Sequence, residues 1–226
     1  MQFSYGTLPE VRTIELEPLQ ASHRERKKQA TKRAIHLAAL ELVEKHGLSG
    51  ATVDAISERA GIAPRTFWSY FASKEEAIVD HDPERAEATR LALLARPAGE
   101  HPLTSLQAVL EDDADRRAID AEERLRRFDL IRSDPHLMST VAAGFEEIER
   151  ALVAAVAERT GLDPEADLYP GVVVAAACSA CRVAYFRWSA KRGKPSLAEL
   201  IKEAFAQLSG GLDPPQRRGA TGKGRR

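Results

Sequence analysis

At 226 residues, 43% hydrophobic and 30% charged, the chain has an ordinary globular composition and is long enough to bury a substantial core in one domain or two. Its formal net charge is −1, so affinity for nucleic acid has to come from where the charges sit rather than from their sum. Two cysteines, Cys178 and Cys181, without a four-ligand Cys/His set argue against a disulfide framework and a structural zinc site, and point to a reducing compartment.

Residues 1–22 mix turn formers with scattered apolar residues and include Pro9 and Pro18, so they are expected to form a flexible arm. No basic region followed by an apolar run opens the chain. No segment is expected to reach the ~18 to 20 apolar residues that span a bilayer, and a cytoplasmic protein without membrane contact is inferred. From His23 the composition turns to HRERKKQATKR, where Arg24, Arg26, Lys27, Lys28, Lys32 and Arg33 outnumber the acid Glu25. Such a run is usually a solvated helix face, but ahead of a DNA-reading motif it can approach phosphates. It passes into a helix through Ile35, Ala38, Ala39, Leu42 and Val43, predicted to end at Lys45-His46-Gly47.

The stretch from Ala51 to Glu76 reads as two short helices joined by a tight turn, followed by the start of a third. Thr52 is a natural N-cap, Val53, Ile56 and Ala60 share a face, and Gly61 stops the helix. Ile62 is the apolar turn residue, and Pro64 sits where a first helical turn tolerates proline. A second helix is predicted over residues 63–70, with Phe67 and Phe71 buried together and Arg65, Thr66, Ser69 and Tyr70 turned away from the small core. Ser73 then caps a further helix, with Glu75 and Glu76 in its first turn. A helix whose N-terminal residues are Arg and Thr can lie in a major groove and reach base edges.

Thr52, Val53, Ile56, Ala60, Gly61, Ile62, Thr66, Phe67, Trp68, Tyr70, Phe71, Ser73, Lys74 and Glu75 occur in the order and spacing of a longer pattern. It closely resembles the DNA-binding domain of TetR-type transcriptional regulators. Trp68 departs from it, standing where the family more often has Tyr or Phe, so a phosphate contact there would come from an indole N–H. The DNA-facing set expected on this reading is Arg24, Lys27, Lys28, Thr52, Pro64, Arg65, Thr66, Trp68, Ser69, Tyr70 and Lys74. Of these, Arg65 and Thr66 are assigned to bases and Thr52, Trp68, Tyr70 and Lys74 to phosphates.

Beyond Lys74, Pro83 predicts a break near Asp82, with helical pattern resuming from Glu84 to Arg96. Pro97-Ala98-Gly99 marks a loop and Pro102 opens another helix, whose acids Glu111, Asp112, Asp113 and Asp115 read as surface charge. Ile119, Leu125, Phe128 and Ile131 give a helix over residues 118–132, closed by Ser133-Asp134-Pro135. Next comes the longest candidate, residues 135–160, with apolar residues from Leu137 to Val156 spaced by threes and fours. The stretch from Tyr169 to Lys191 is apolar nearly all round and is expected to be buried against several partners. Ser196 caps a last helix with a clean apolar face from Leu197 to Leu208. Residues 212–226 read as a disordered basic tail.

The expected architecture is all-α: an arm (1–22), a three-helix reader (23–72), a helical bundle (73–211) and the tail. The bundle is similar in composition and spacing, over residues 100–209, to the acyl-CoA-like ligand-binding domain of the mycofactocin-regulator subgroup of the same family. That resemblance implies an effector pocket and a homodimer formed through the last two helices, on a near-palindromic double-stranded operator. The candidate lining is Phe128, Ile131, Phe145, Cys178, Arg182, Tyr185 and Phe186, each of which also reads as ordinary core or surface. Cys178 and Cys181, three apart on a helix, are expected to be buried and inert. No phosphate loop, nucleophile elbow, paired metal-ligand histidines or catalytic triad is present, so neither an enzyme nor a cofactor or metal is expected. A DNA-binding architectural protein without an effector is the remaining alternative.

Overall fold

A computed structural model describes residues 23–116 and 121–212, and the expected arm, Ile119 and all of the tail but Leu212 lie outside them. The described residues form ten helices and no strand. Helix α1 (His23–Gly50) is interrupted at Gly47, whose φ of 69° ends the regular helix where the Lys45-His46-Gly47 signal placed its stop. It packs on α2 (Val53–Ala60) and on α4 (Lys74–Val79). Between these, α3 (Pro64–Phe67) is shorter than the helix predicted over 63–70. Its continuation tightens into i to i+3 turns, with Ser69 N–H donating to Thr66 O (3.1 Å) and Tyr70 N–H to Phe67 O (2.9 Å). Phe71 N–H still reaches Phe67 O at 3.1 Å, so the four-residue aromatic spacing survives.

Helix α4 ends at Asp80, which is left-handed at φ 54°, slightly ahead of the break expected near Asp82. Helices α5 (Arg85–Leu94) and α6 (Pro102–Arg116) follow, then α7 (Ala121–Ser133) and α8 (Pro135–Thr160). Helices α9 (Leu168–Ala190) and α10 (Leu197–Ser209) close the fold. The α10 start carries the full capping box, Ser196 with Glu199, which satisfies two otherwise free backbone N–H groups.

Apolar burial separates into two cores. One gathers Ile35, Leu40, Ile56, Phe67, Phe71 and Ile78 around the reader, and the other gathers Leu93, Leu106, Ile148, Leu152, Val174, Trp188 and Phe205 in the bundle. Helix α8 belongs to both, placing Leu137 in the first and Ile148 and Leu152 in the second. The reader's core therefore runs past residue 72, through Ala77, Ile78 and Val79 of α4. A 26-residue helix with a 1.5 Å rise per residue makes a stiff strut between the two cores.

Helix α9 corrects two expectations. It packs on α6, α8 and α10, but those neighbours cover only one side, so Val172 (62%), Val183 (63%) and Phe186 (44%) are exposed rather than buried. At 23 residues with a window of mean hydropathy 1.4, it is also long and apolar enough to cross a bilayer, contrary to the expectation that no segment is. Its Ala and Val content raises hydropathy while letting neighbouring helices approach closely, and a core helix passes the same test.

Candidate nucleic-acid interface

The local chemistry of the reader follows its sequence closely. Thr52 Oγ1 accepts from Ala55 N–H at 3.2 Å, and Gly61 ends α2 in the left-handed conformation at φ 67°, ψ 34°, which costs a glycine little. Ile62 N–H then donates to Ser57 O at 2.9 Å, fixing the turn into Pro64, the first residue of α3. Phe67 and Phe71 are buried with ring centroids 6.0 Å apart, anchoring α3 against α1 and α2.

Outward from that anchor lie Pro64, Arg65, Trp68 and Ser69, all exposed, with Thr66 half-buried. Trp68 is 57% exposed and meets Phe67 edge-on, with centroids 5.3 Å apart, which holds a large aromatic ring at the surface beside Arg65. Tyr70 does not turn fully away from the core as expected: it is half-buried against the reader's apolar cluster, because the tightened turn after Phe67 rotates it inward. Lys74 Nζ donates to Leu48 O at 2.7 Å, so this ammonium also ties α4 to the end of α1.

The basic run of α1 splits by neighbour. Arg24, Arg26 and Lys27 are exposed and make no ion pair among the described residues. Lys28 Nζ is 3.0 Å from Glu84 Oε1 and Lys32 Nζ is 3.2 Å from Asp82 Oδ1, so the α4–α5 connection neutralises the second turn of the run. Those pairs edge a cleft of about 110 Å³ with Ser69 and Tyr70 on its reader side. Arg33 points the other way, into a two-pronged pair with Glu123 of α7.

Glu123 was not singled out by sequence reasoning, and it joins the two halves. It is 7% exposed, faces Arg33, and lies 3.3 Å from Nε2 of the fully buried His36, although that contact is not aligned as a hydrogen bond. His36 Nδ1 sits 2.7 Å from Ala77 O, so one imidazole bridges α1, α4 and α7. Burial alone would raise the Glu123 carboxyl; His36 and Arg33 outweigh it and pull the carboxyl down to about 2. A second tie runs from Arg127 to Asp80 at 3.5 Å, linking α7 to the end of α4.

Of the expected effector lining, only Phe128, Tyr185 and Phe186 come together, with Phe128 5.4 Å from Tyr185 and 5.5 Å from Phe186. Ile131 packs on the reader's core, Phe145 is 53% exposed on α8, and Arg182 is exposed with Ser179 as its neighbour at 3.1 Å. Cys178 and Cys181 are partly buried against the bundle core. Burial pushes the thiols up, to about 11 and about 12 respectively, which keeps them un-ionised near neutral pH. The aromatic group extends where sequence reasoning did not look: Tyr185 contacts Trp188 at 5.6 Å, and the Arg124 guanidinium lies over the Trp188 ring at 5.3 Å. One of three arginines in a charged stretch, ERLRRFD, gives no signal of burial. Among the described residues no cluster of His, Cys, Asp and Glu is placed to hold a metal ion.

An exposed Arg-Thr helix mounted on a glycine turn, carried by a helical bundle, defines a two-part helix-turn-helix regulator. The profile of bacterial regulatory proteins of the tetR family matches residues 35–78, and that of the MftR C-terminal domain matches residues 100–213. The chain belongs to the TetR family of transcriptional regulators. It is 33% identical over 171 residues to the HTH-type transcriptional regulator TcmR of Streptomyces glaucescens, covering 73% of this chain and 76% of that one. It is 29% identical over 210 residues to a Mycobacterium tuberculosis protein named for the regulator of mycofactocin biosynthesis, MftR, covering 83% of this chain and 94% of that one. Among solved structures, Thermus thermophilus FadR in complex with lauroyl-CoA shares the fold at TM-score 0.51 and 21% identity, over 84% of this chain and all of that one (100%). The SmeT–triclosan complex, SmeT being a multidrug-efflux repressor of Stenotrophomonas maltophilia, does so at 0.54 and 19%, over 84% and 98%. The family is one of regulators, not of enzymes.

Proposed function

We propose that the chain is a cytoplasmic repressor that binds a near-palindromic operator as a homodimer and is released by a small hydrophobic or acyl-CoA-like effector held in the bundle. On this reading Arg65 and Thr66 reach base edges, with Pro64 and Ser69 beside them. Thr52, Trp68, Tyr70 and Lys74 approach phosphates, and Arg24, Lys27 and Lys28 extend the contact along the backbone. The observation that carries this reading is the exposure of Arg65, Trp68 and Ser69 around a buried Phe67–Phe71 anchor. The exposed apolar face of α9, beside α10, supports pairing through the last two helices, because a face of Val172, Val183 and Phe186 is a poor surface for a lone subunit. A bound acyl-CoA in FadR and triclosan in SmeT support an apolar effector in a bundle of this fold.

The route between effector and reader is short. Helix α7 carries Phe128 at the aromatic group and Glu123 against α1, while α8 runs through both cores. A shift of α7 therefore moves α1 and, through Arg127 and Asp80, α4. The test is an anisotropy titration of duplex DNA enriched from a random-sequence pool, with and without lauroyl-CoA. A tenfold loss of DNA affinity corresponds to a coupling of ~1.4 kcal/mol, and the complex must then bind lauroyl-CoA tenfold more weakly than free protein does. Equal lauroyl-CoA affinity for free and DNA-bound protein would remove the switch and leave the effector-free architectural alternative.

A further inference from the structure

Arg124 is only 6% exposed, yet among the described residues no carboxylate pairs with it. Its Nη2 donates to Ala114 O at 3.2 Å, its guanidinium carbon lies over the Trp188 ring at 5.3 Å from the centroid, and its Nε is fully buried with no hydrogen-bond partner among the described residues. The acids nearby are spent elsewhere: Asp113 is 2.5 Å from Arg85 Nη2, and Glu123 faces Arg33 and His36. Asp115 is exposed. Burial pulls the Arg124 pKa down, and the opposing pull of Tyr185, Asp115 and Asp113 does not cancel it. A buried guanidinium with an orphaned N–H is costly in an empty protein, because desolvation of the charge is not offset by a partner. The contact with Trp188 is a structural role for the group that leaves its buried Nε unexplained.

Resting on the effector reading above, we propose that Arg124 is the head-group anchor of the effector site and that the head group is a compact carboxylate on an apolar body. A planar carboxylate fits the edge of a planar guanidinium, and the indole beside Arg124 supplies apolar surface next to it. Tyr185 and Phe128 extend the apolar wall from Trp188, so a tail leaving Arg124 runs along aromatic rings. The helix that carries the anchor also carries Glu123, one residue earlier and facing α1. Occupation of Arg124 thus acts on the same helix that grips the reader.

Trp188 reports on this site directly, being 3% exposed and one of only two tryptophans. In a Trp68→Phe background its fluorescence is titrated with dodecanoate, with dodecanol as the uncharged equivalent, and with lauroyl-CoA. Dodecanoate should bind roughly tenfold or more tightly than dodecanol, the difference expected for one charge-assisted hydrogen-bonded pair. Arg124→Met should abolish that preference while leaving dodecanol binding within about twofold, and should melt no lower than its parent without ligand, since it removes an unsatisfied buried charge. Arg124→Lys, which retains charge without the fork, should recover only part of the preference and guards against a folding defect in the first variant. Equal binding of acid and alcohol, an undiminished preference in Arg124→Met, or lauroyl-CoA binding more tightly than dodecanoate would each overturn the assignment. DNA affinity measured in parallel, with protein that retains Trp68, separates the two readings. Alcohol and acid releasing DNA alike sinks the anchor but not the switch, whereas Arg124-dependent dodecanoate binding without release sinks the switch but not the anchor.

Discussion

Glu123→Gln is the sharpest test of how the two halves are joined. The substitution keeps the size of the side chain and an acceptor oxygen but removes the charge between Arg33 and His36. In the folded protein the Glu123 carboxyl is held at about 2 instead of an ordinary 4.5, a difference equivalent to roughly 3 kcal/mol. Arg33 keeps 34% of its side chain in solvent and can rehydrate in part, which discounts that figure to a loss of ~1 to 2 kcal/mol at neutral pH. The sign with pH follows from the lowered value. Stability from this group is complete above the unfolded carboxyl value and is lost as pH falls from 4.5 towards 2, so the two proteins should converge over that window. Urea unfolding at fixed protein concentration, followed by circular dichroism at several pH values, measures this. An unchanged midpoint at neutral pH, or a difference that persists undiminished near pH 2, would refute the claim that a charged bridge holds α1 to α7.

Arg65→Ala should cost ~1 to 3 kcal/mol in specific DNA binding and relax preference at one base step, whereas Lys27→Ala should weaken all sequences alike and lower the salt slope by about one. An anisotropy series over salt and sequence distinguishes them, and unaltered base preference in Arg65→Ala would remove the base-reading assignment. Val183→Glu places a charge on the exposed face of α9 and should shift sedimentation towards monomer while leaving helical content intact; a dimer of unchanged stability would move the interface elsewhere. Cys178 and Cys181, raised to about 11 and about 12, should resist alkylation by iodoacetamide near pH 7.5, and labelling at the rate of a free thiol would contradict their burial. Deleting residues 212–226 should leave specific DNA affinity nearly unchanged, and a large loss in an anisotropy assay would give the basic tail a part in binding.

Much of the reader was legible in the chain because its signals are local. The Thr52 cap, the Gly61 stop, Pro64 at a helix start and the Phe67–Phe71 spacing each act through neighbours within a few residues, and each appears where the sequence put it. So do the ends of α8 at Pro135 and Gly161 and the Ser196 capping box. Even here α3 came out short, since aromatic packing tightened the turn that helical spacing alone would have continued.

Sequence by itself determined the all-α class, the helix-turn-helix and most helix boundaries, because caps, turns and periodicity are short-range and additive along a chain. Only the tertiary structure decided which charges are spent. It turned Lys28 and Lys32 towards Glu84 and Asp82, set Glu123 between Arg33 and His36, and buried Arg124 over Trp188 without a counter-ion among the described residues. It also left one side of the apolar α9 bare and dispersed the expected lining, sending Ile131 to one core and Phe145 to the surface. Those outcomes depend on side chains many residues apart meeting at the crossing of helices, where burial changes the energy of a charge by kcal/mol amounts that no pattern along the chain records.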